Sequence, residues 1–533
     1  MWACSGRLGL PCWRSGWLVY SADFNHTEGS GTLSGYLDHP RVICMAIDLS
    51  SIDHFQDAMV TVMGLGRFKQ GSGVGASKWL MRHGAQIVIT DLKSAEELRE
   101  SVDEIMKWYS QYKKEYTHRN IYAPVFVLGT HDAEDFTNVD LVMQNPGVAR
   151  ESEFVTLAKK EGVPVESDIS LFFRYCPFPI YSVTGTRGKS TTTALWGEML
   201  RHIHPNTVVA GNITRSPLED LDWLLEEKTP VPVVLELSSW LLESLEGLGK
   251  GPQIALLTNV YKDHLDRYDS FEHYLWAKEL IFKEQQPDQI ALLNADQELS
   301  EEVASHVKSQ RVYWFSANAL PEGKLGAFQD GDQLIWKLEE AQGTFAHVHD
   351  LAHLVGEHNV MNALSASLGA HFAGVSDEQI HETLKTFAGL PGRQQIIAEV
   401  EGVLYVNDTT ATSPEGVIAA LKRFGRGGNL IWIGGGSSKG LPFEELAEQV
   451  RAQCRMAILF DGTAFDDLSV ALGSEIPIVK AMSMAQAMEA ASTEVKLGDI
   501  VLLSPGTASF GLFKNEFDRG EQFNKAVEAL KGV

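Results

Sequence analysis

Residues 181–200 read YSVTGTRGKSTTTALWGEML, and this stretch restricts the fold more than any other. Tyr181 and Val183 begin an apolar strand, Gly185 and Gly188 bracket a tight turn, and Lys189-Ser190 opens a Thr/Ala/Leu/Met run with helical spacing. A strand that empties through a glycine turn into a helix start offers backbone N–H groups and a positive helix end to phosphate oxygens. Lys189 adds a point charge for terminal phosphates, and the hydroxyl of Ser190 stands where such loops hold Mg2+. The loop is shorter than G-x-x-x-x-G-K-[ST], because Val183 occupies the place of the first glycine. A strand feeding a helix in this way implies a parallel neighbour, so the expected class is α/β.

The same grammar recurs along the chain. VPVVLELSSWLLE (231–243) is a buried strand ending at Glu236, with Ser238 and Ser239 starting a helix. IALLTNV ends at Asn259 and leads to His264 in a polar loop; SFEHYLWAKELIF is helical and carries Lys278; GEHNVMNALSASLGA is a helix with Asn359 and Asn362 near its start. These elements define a central segment, 181–392, with chemistry at the carboxyl ends of its strands, where open parallel sheets bind ligands.

An earlier segment, 57–180, holds DAMVTVMGLGRFKQGSGVGASKWLMRHGAQIVITD, a strand–turn–helix–strand unit ending at Asp91. Gly64 and Gly66 fit a dinucleotide fingerprint, but Lys69 stands at its third glycine, so the match to a nicotinamide site is weak. After the turn GLPGR, a third segment, 393–533, shows four strand-loop units: GVLYVNDTTATSPEG, GNLIWIGGGSSKG, MAILFDG and DIVLLSPGTASFGLFKNEFDRG. The expectation is three α/β domains: a Rossmann-like first domain, a central P-loop-type ATPase domain on a parallel sheet, and a doubly wound C-terminal domain.

Single residues allow plainer readings. A strand-end Glu such as Glu236 is ordinarily a solvated charge or a cap, a lone His such as His264 a surface residue, and a mid-helix Lys such as Lys278 a snorkelling cation. Their common position in the segment of the phosphate cradle favours one or two divalent ions held on phosphate.

Bulk properties narrow the partners. The chain of 533 residues carries a formal charge of −25, which argues against nucleic acid. No apolar run reaches membrane-span length, so no membrane insertion is expected. Cys4, Cys12, Cys44, Cys176 and Cys454 are scattered without metal spacing, as in a reduced cytoplasmic protein. Residues 1–56 read as an N-terminal extension. Arg7, Pro11 and Arg14 break any signal-like apolar core, and the expectation is a start called too far upstream, with translation from Met45.

VTGTRGKSTTT, ELSSWLLE, DHLDRY…AK, GEHNVMNAL, GLPGR, YVNDTTAT, GGGSSKG and LLSPGTASFGLFKNEFDRG occur in the order found in the Mur ligases. Over roughly residues 57–533 the chain resembles that family, and within it the members that add glutamate. The family's Gly-Thr-x-Gly-Lys-Ser/Thr loop accounts for the short cradle; its usual Asn is here Arg187. The resemblance implies ATP-dependent ligation of glutamate, D-glutamate before L-glutamate, to UDP-N-acetylmuramoyl-L-alanine through an acyl phosphate. It implies a cytoplasmic step of peptidoglycan precursor synthesis, performed by a monomer with small-molecule partners.

The same resemblance assigns roles. Lys189, Glu236, His264 and Lys278 match catalytic positions. Ser190, Glu236, His264 and Lys278 match the surroundings of two Mg2+ ions, Lys278 as a carbamate. Gly185, Thr186, Arg187, Gly188, Lys189, Ser190, Thr191, Asn359, Asn362, Arg393 and Asp408 match ATP contacts. Leu65, Gly66, Asp91, Gly211, Asn212 and Ser238 match contacts to the UDP-linked substrate, and Thr412, Lys439 and Ser509 match the amino-acid site. Two departures fall in the last group: Thr410 replaces an expected Lys, and Glu516 an aromatic wall. Glu516 is expected to turn away, with Phe517 or Phe510 supplying that wall. The rivals are a folylpolyglutamate or poly-γ-glutamate type ligase and, in another class, an NAD-dependent dehydrogenase.

Overall fold

The computed structural model describes residues 46–531 except 68, 213–214, 264–266, 352–353, 355 and 510. The expected start at Met45, His264 and Phe510 lie outside the described residues.

Three sheets carry the chain. In the first, β1 (Met59–Met63), β2 (Gln86–Asp91), β3 (Val125–Leu128), β4 (Leu141–Gln144) and β5 (Val165–Glu166) lie in the order β3-β2-β1-β4-β5. All pairings are parallel. The order reverses between β1 and β4, and the Gly64–Gly66 turn leaves β1 there, at the point where such sheets open a crevice.

The second sheet begins with β6 (Ile180–Thr184), β7 (Val208–Gly211), β8 (Val233–Glu236), β9 (Ile254–Leu257), β10 (Ile290–Asn294), β11 (Arg311–Ser316) and β12 (Gly326–Asp330). Their order is β12-β11-β10-β9-β6-β8-β7. Two further strands follow in sequence, β13 (Gln333–Lys337) and β14 (Gln342–His347). Every residue of β6, β8 and β9 is buried. This is why the body of β8 and β9 reads as a continuous apolar run rather than an alternating one: helices cover both faces of a parallel sheet.

The third sheet contains β15 (Gln395–Val400), β16 (Val403–Asn407), β17 (Leu430–Gly435), β18 (Cys454–Phe460), β19 (Ile478–Ala481) and β20 (Ile500–Leu503), in the order β15-β16-β20-β17-β18-β19. β15 is antiparallel to β16. The four strand-loop units expected here are β16, β17, β18 and β20; β15 and β19 are additional edge strands with weaker apolar signatures.

Two compact units result. One holds residues up to 329 together with 335–343 and 364–376; the other holds 330–334, 344–363 and 377–533. In the first unit the first two sheets share one core, which includes Trp79, Phe172, Leu221 and Leu235. Asp222, on the helix Leu218–Glu226, ties them further. It pairs with Arg82 at 2.6 Å and His83 at 2.9 Å, and accepts from Trp79 Nε1 at 3.0 Å. In the second unit, separate apolar clusters line the two faces of the third sheet, around Trp432 on one side and Phe460 and Phe523 on the other.

Candidate active site

The cradle is built as its sequence suggests, with a physical reason for each glycine. Gly185 has φ +145°, and a Cβ there would sit 1.9 Å from Thr258 Oγ1. Gly188 caps the helix Lys189–Leu200 in the left-handed region, at φ +83°. Residues after β9 lace the turn shut. Thr186 N donates to Asn259 O at 2.8 Å and Arg187 N to Asn259 Oδ1 at 2.9 Å. Thr258 Oγ1 and Asn259 Nδ2 both donate to Arg187 O, at 2.7 and 3.0 Å. Ser190 and Thr191 occupy the first turn of the helix, half-buried, and Arg187 is exposed. Lys189 Nζ donates to Thr186 O at 3.0 Å, so the ammonium curls over the loop it belongs to.

Glu236 ends β8 beside the last residues of β6 and β7, paired in register with Val183 and Gly211. It is 1% exposed. Asn212 fastens it twice, donating N–H to Glu236 O at 2.8 Å and Nδ2 to Oε1 at 2.9 Å. Gly211 admits this approach because a Cβ would meet Glu236 O at 2.2 Å. The other carboxylate oxygen, Oε2, is buried and has no hydrogen-bond partner among the described residues. An unpaired buried carboxylate oxygen is costly.

Lys278 is the second buried charge-bearing group. Its helix, Phe271–Lys283, starts at Ser270, whose side chain accepts from His273 N. Lys278 is 2% exposed. Its Nζ donates to Thr184 Oγ1 at 3.3 Å and lies 5.2 Å from the centre of the Tyr274 ring. Thr184 Oγ1 in turn donates to Leu237 O at 2.6 Å. Burial, reinforced by the Lys189 charge, pushes the Lys278 ammonium well below the ordinary lysine range; Glu236 and Asp263 oppose that shift. The neutral amine is thereby accessible.

Ser238, expected at the substrate, caps the short helix Ser239–Leu242 by accepting from Leu241 N. At the first sheet, Asp91 accepts from Leu65 N at 2.9 Å and Gly66 N at 3.4 Å through Oδ2, and from Lys93 N at 2.9 Å through Oδ1. Its carboxylate shapes the turn, and both oxygens are engaged.

The second unit contains the remaining expected residues. Asn362 Nδ2 donates to Asn359 Oδ1 at 3.2 Å within the helix Glu357–Phe372. Asp408 follows β16 and is buried, accepting from Gln394 N at 3.0 Å and Ser504 Oγ at 2.7 Å. Burial pushes its carboxyl up to about 7 despite those bonds and the charges of Arg393 and Arg423. Lys439 Nζ donates to Thr412 Oγ1 at 2.9 Å. Reciprocal backbone bonds between Ser437 and Ala508, at 2.9 and 3.0 Å, join the loop of Lys439 to the loop of Ser509.

Two families account for most of this architecture. Residues 183–370 match the Mur ligase middle domain, and residues 392–506 match the Mur ligase glutamate ligase domain. The chain is 40% identical over 480 residues to the UDP-N-acetylmuramoylalanine--D-glutamate ligase of Roseiflexus sp. (strain RS-1), covering 88% of this chain and 98% of the relative. The enzyme of that name from Borreliella afzelii (strain PKo) is 33% identical over 487 residues, 90% and 99% of the two chains.

This chain belongs to the Mur ligase family.

Solved Mur ligases share its fold. UDP-N-acetylmuramate-alanine ligase of Thermotoga maritima superposes with a TM-score of 0.52 at 18% identity, covering 89% of this chain and 99% of that one. MurF of Acinetobacter baumannii gives 0.53 at 16%, covering 89% and 93%. In this Mur ligase Asn212 binds Glu236, Glu236 pairs in register with Val183 of β6, and Lys278, from the middle of its helix, reaches Thr184 at the end of β6. Residues that carry the arrangement without having been singled out for it are Thr184, Thr258 and Asn259 beside the cradle, and Arg423, Ser504 and Arg519 in the second unit. Arg519 is fully buried and donates to Thr409 Oγ1 at 3.1 Å and Thr409 O at 2.9 Å. Its place in the quoted FDRG ending was the only available signal.

The departures near the amino-acid residues take definite forms. Thr410 Oγ1 donates to Gly392 O at 2.9 Å, so it serves the turn before β15. Glu516 begins the helix Glu516–Leu530, and its charge acts on both Lys439 and Arg519. Phe517 is 46% exposed. Glu516 therefore lies within electrostatic reach of Lys439, and Phe517 is exposed.

Asp408 leads to a pH prediction. A carboxyl raised from 3.8 to about 7 binds its proton more tightly in the folded state. Its contribution to stability therefore falls as pH rises from about 4 to 7 and is constant beyond, a loss of up to about 4 kcal/mol. Asp408→Asn should flatten that part of the stability profile. Chemical unfolding of both proteins between pH 4 and 8 checks it; a wild-type-minus-variant difference independent of pH would contradict it.

Proposed function

We propose that this Mur ligase joins D-glutamate to UDP-N-acetylmuramoyl-L-alanine at the cost of ATP, a cytoplasmic step of peptidoglycan precursor synthesis. The observation that carries the chemistry is the convergence of Lys189, Lys278 and the unpaired Oε2 of Glu236 at the phosphate cradle. The choice of substrates rests on the names and full-length coverage of the curated relatives.

In this reading residues 57–180 take the UDP-linked substrate, 181–392 ATP, and 393–533 the amino acid. The backbone N–H groups of Gly188–Thr191, at the start of the helix Lys189–Leu200, cradle the phosphates. Asn359, Asn362, Arg393 and Asp408 are assigned to ATP, and Leu65, Gly66, Asp91, Gly211, Asn212 and Ser238 to the UDP-linked substrate. Ser190, Glu236, His264 and Lys278 are assigned to Mg2+, and Glu236 fits best because its buried free oxygen is otherwise unpaired. When bound, Mg2+ neutralises phosphate charge.

The substrate carboxylate attacks the γ-phosphorus, ADP leaves, and an acyl phosphate forms. The glutamate amine then attacks the acyl carbon, phosphate leaves, and an amide remains. Direct condensation of a carboxylate with an amine is uphill, so the phosphate serves as leaving group. The protein contributes positioning and charge neutralisation. Lys189 opposes charge growing on the transferring phosphoryl group. Lys439, Thr412 and Ser509 are the donors assigned to glutamate's carboxylates, which explains a preference over the shorter aspartate. One chain supplies every group in this scheme, so a monomer suffices.

The test is phosphate release from ATP with UDP-N-acetylmuramoyl-L-alanine and a panel of amino acids. We expect kcat/KM to be highest for D-glutamate and poor for aspartate. A clear preference for L-glutamate would move Thr410 and Glu516 from tolerated departures to determinants of handedness, leaving the ligase class intact. Phosphate release coupled to none of the amino acids would overturn the reading.

A further inference from the structure

Within the second unit, three side chains meet that the ligation chemistry does not use. Asp332 lies in the turn between β13 and the strand before it, His347 ends β14, and His349 is two residues further on. Asp332 Oδ2 stands 2.6 Å from His349 Nδ1 and 3.3 Å from His347 Nδ1. One donor atom from each of the three lies within 4.8 Å of the others. No other group of His, Cys, Asp and Glu among the described residues meets that condition.

The backbone holds this arrangement. Val348, between the two histidines, donates its N–H to Asp332 O at 2.8 Å, which fixes the aspartate opposite both rings. His347 N donates to Asp350 Oδ2 at 3.1 Å. Asp350 also pairs with His381 Nε2 at 3.0 Å and approaches His349 Nε2 at 3.8 Å. Two imidazoles and a carboxylate, with a further carboxylate reaching the far nitrogen of one ring, are the donor set and outer partner of a borderline transition-metal site.

We propose that Asp332, His347 and His349 bind one borderline transition-metal ion of the Zn2+ class. Donors on a tetrahedral zinc, at 2.0–2.2 Å from the ion, lie about 3.4 Å apart. The His347–Asp332 separation already has that value, and the His349–Asp332 pair needs to open by less than about 1 Å. His349 is free to do so, because its side chain is 69% exposed. The three protein donors leave room for water. Mg2+, which prefers an octahedron of oxygens, is not the ion this set selects, so the site is chemically distinct from the phosphate-bound ions of ligation.

The experiment titrates the full chain with Zn2+ by calorimetry in millimolar Mg2+, alongside His349→Asn and Asp332→Asn. Co2+ replaces Zn2+ in a parallel arm, with its visible absorption reporting imidazole ligation. Both variants change exposed residues, and circular dichroism confirms their fold. The expected result is one Zn2+ equivalent on the wild-type chain whose affinity falls at least about tenfold in each variant, with the Co2+ band lost in parallel. Absence of that equivalent, affinity unchanged in either variant, or displacement of the ion by Mg2+ would overturn the proposal.

Discussion

Lys278→Ala should lower turnover by at least about 10²-fold, the scale for removing one preorganised charged group, and Lys278→Arg should not restore it. The side chain is buried, and its nearest strong influence besides desolvation is the like charge of Lys189. A second permanent cation beside Lys189 would be repelled, whereas a neutral amine is stable there and is nucleophilic. Under the proposed function, attack of that amine on dissolved CO2, with loss of a proton, would form a carbamate. The group would then carry a negative charge, which Lys189 would attract. Arginine stays charged under all ordinary conditions and cannot follow this course. A small carboxylate such as formate or acetate should recover part of the activity of Lys278→Ala, because it restores the missing charge. Removal of dissolved CO2 should depress the wild-type enzyme. Full activity in Lys278→Arg would exclude the carbamate.

Lys189→Ala should be equally severe. Its Nζ donates to Thr186 O at 3.0 Å, which keeps the charge at the cradle. A loss of at least about 10²-fold in kcat is expected. The loop itself is laced by Thr258 and Asn259 rather than by Lys189, so the fold and thermal stability should survive. The same substitution should shift the Lys278 ammonium towards its ordinary range, because one cause of its depression is removed. Single-turnover phosphate release, measured beside thermal unfolding, separates these effects. Ligation at near wild-type rate in a folded Lys189→Ala protein would dismiss the cradle as the site of phosphoryl transfer.

Much of the candidate site was legible because parallel sheets concentrate chemistry at strand ends. Glu236 and Asn259 each stand at or just past the end of an apolar run, and a reader of the sequence finds both positions by noting where the run stops. Lys278 is different. Nothing in a helix reading AKELIF distinguishes a buried lysine from a snorkelling one; only the family motif singled it out, and only packing against β6 shows that it is buried. The edge strands β15 and β19 escaped for the opposite reason: partly exposed strands lack the unbroken apolar signature.

What the sequence determined by itself was the α/β class, the glycine positions that a phosphate cradle requires, and the membership that a long ordered series of motifs conveys. These are local matters of backbone conformation and hydrophobic period, and they do not depend on which strand lies beside which. Tertiary structure decided the neighbours. Because β6 lies between β8 and β9, residues far apart in sequence meet at its end: Thr184 touches Lys278 across 94 positions, and Val183 lies in register with Glu236. The crossovers also decided burial, and burial set the charges. Asp408 looks like any acid after a strand, and only burial lifts its carboxyl to about 7, against the bonds from Gln394 and Ser504 that favour the charged form. Asp332, His347 and His349 became a cluster only when the backbone bond from Val348 closed the turn onto β14. Desolvation and pairwise charge depend on distance in space, and distance in space is what a linear pattern leaves open.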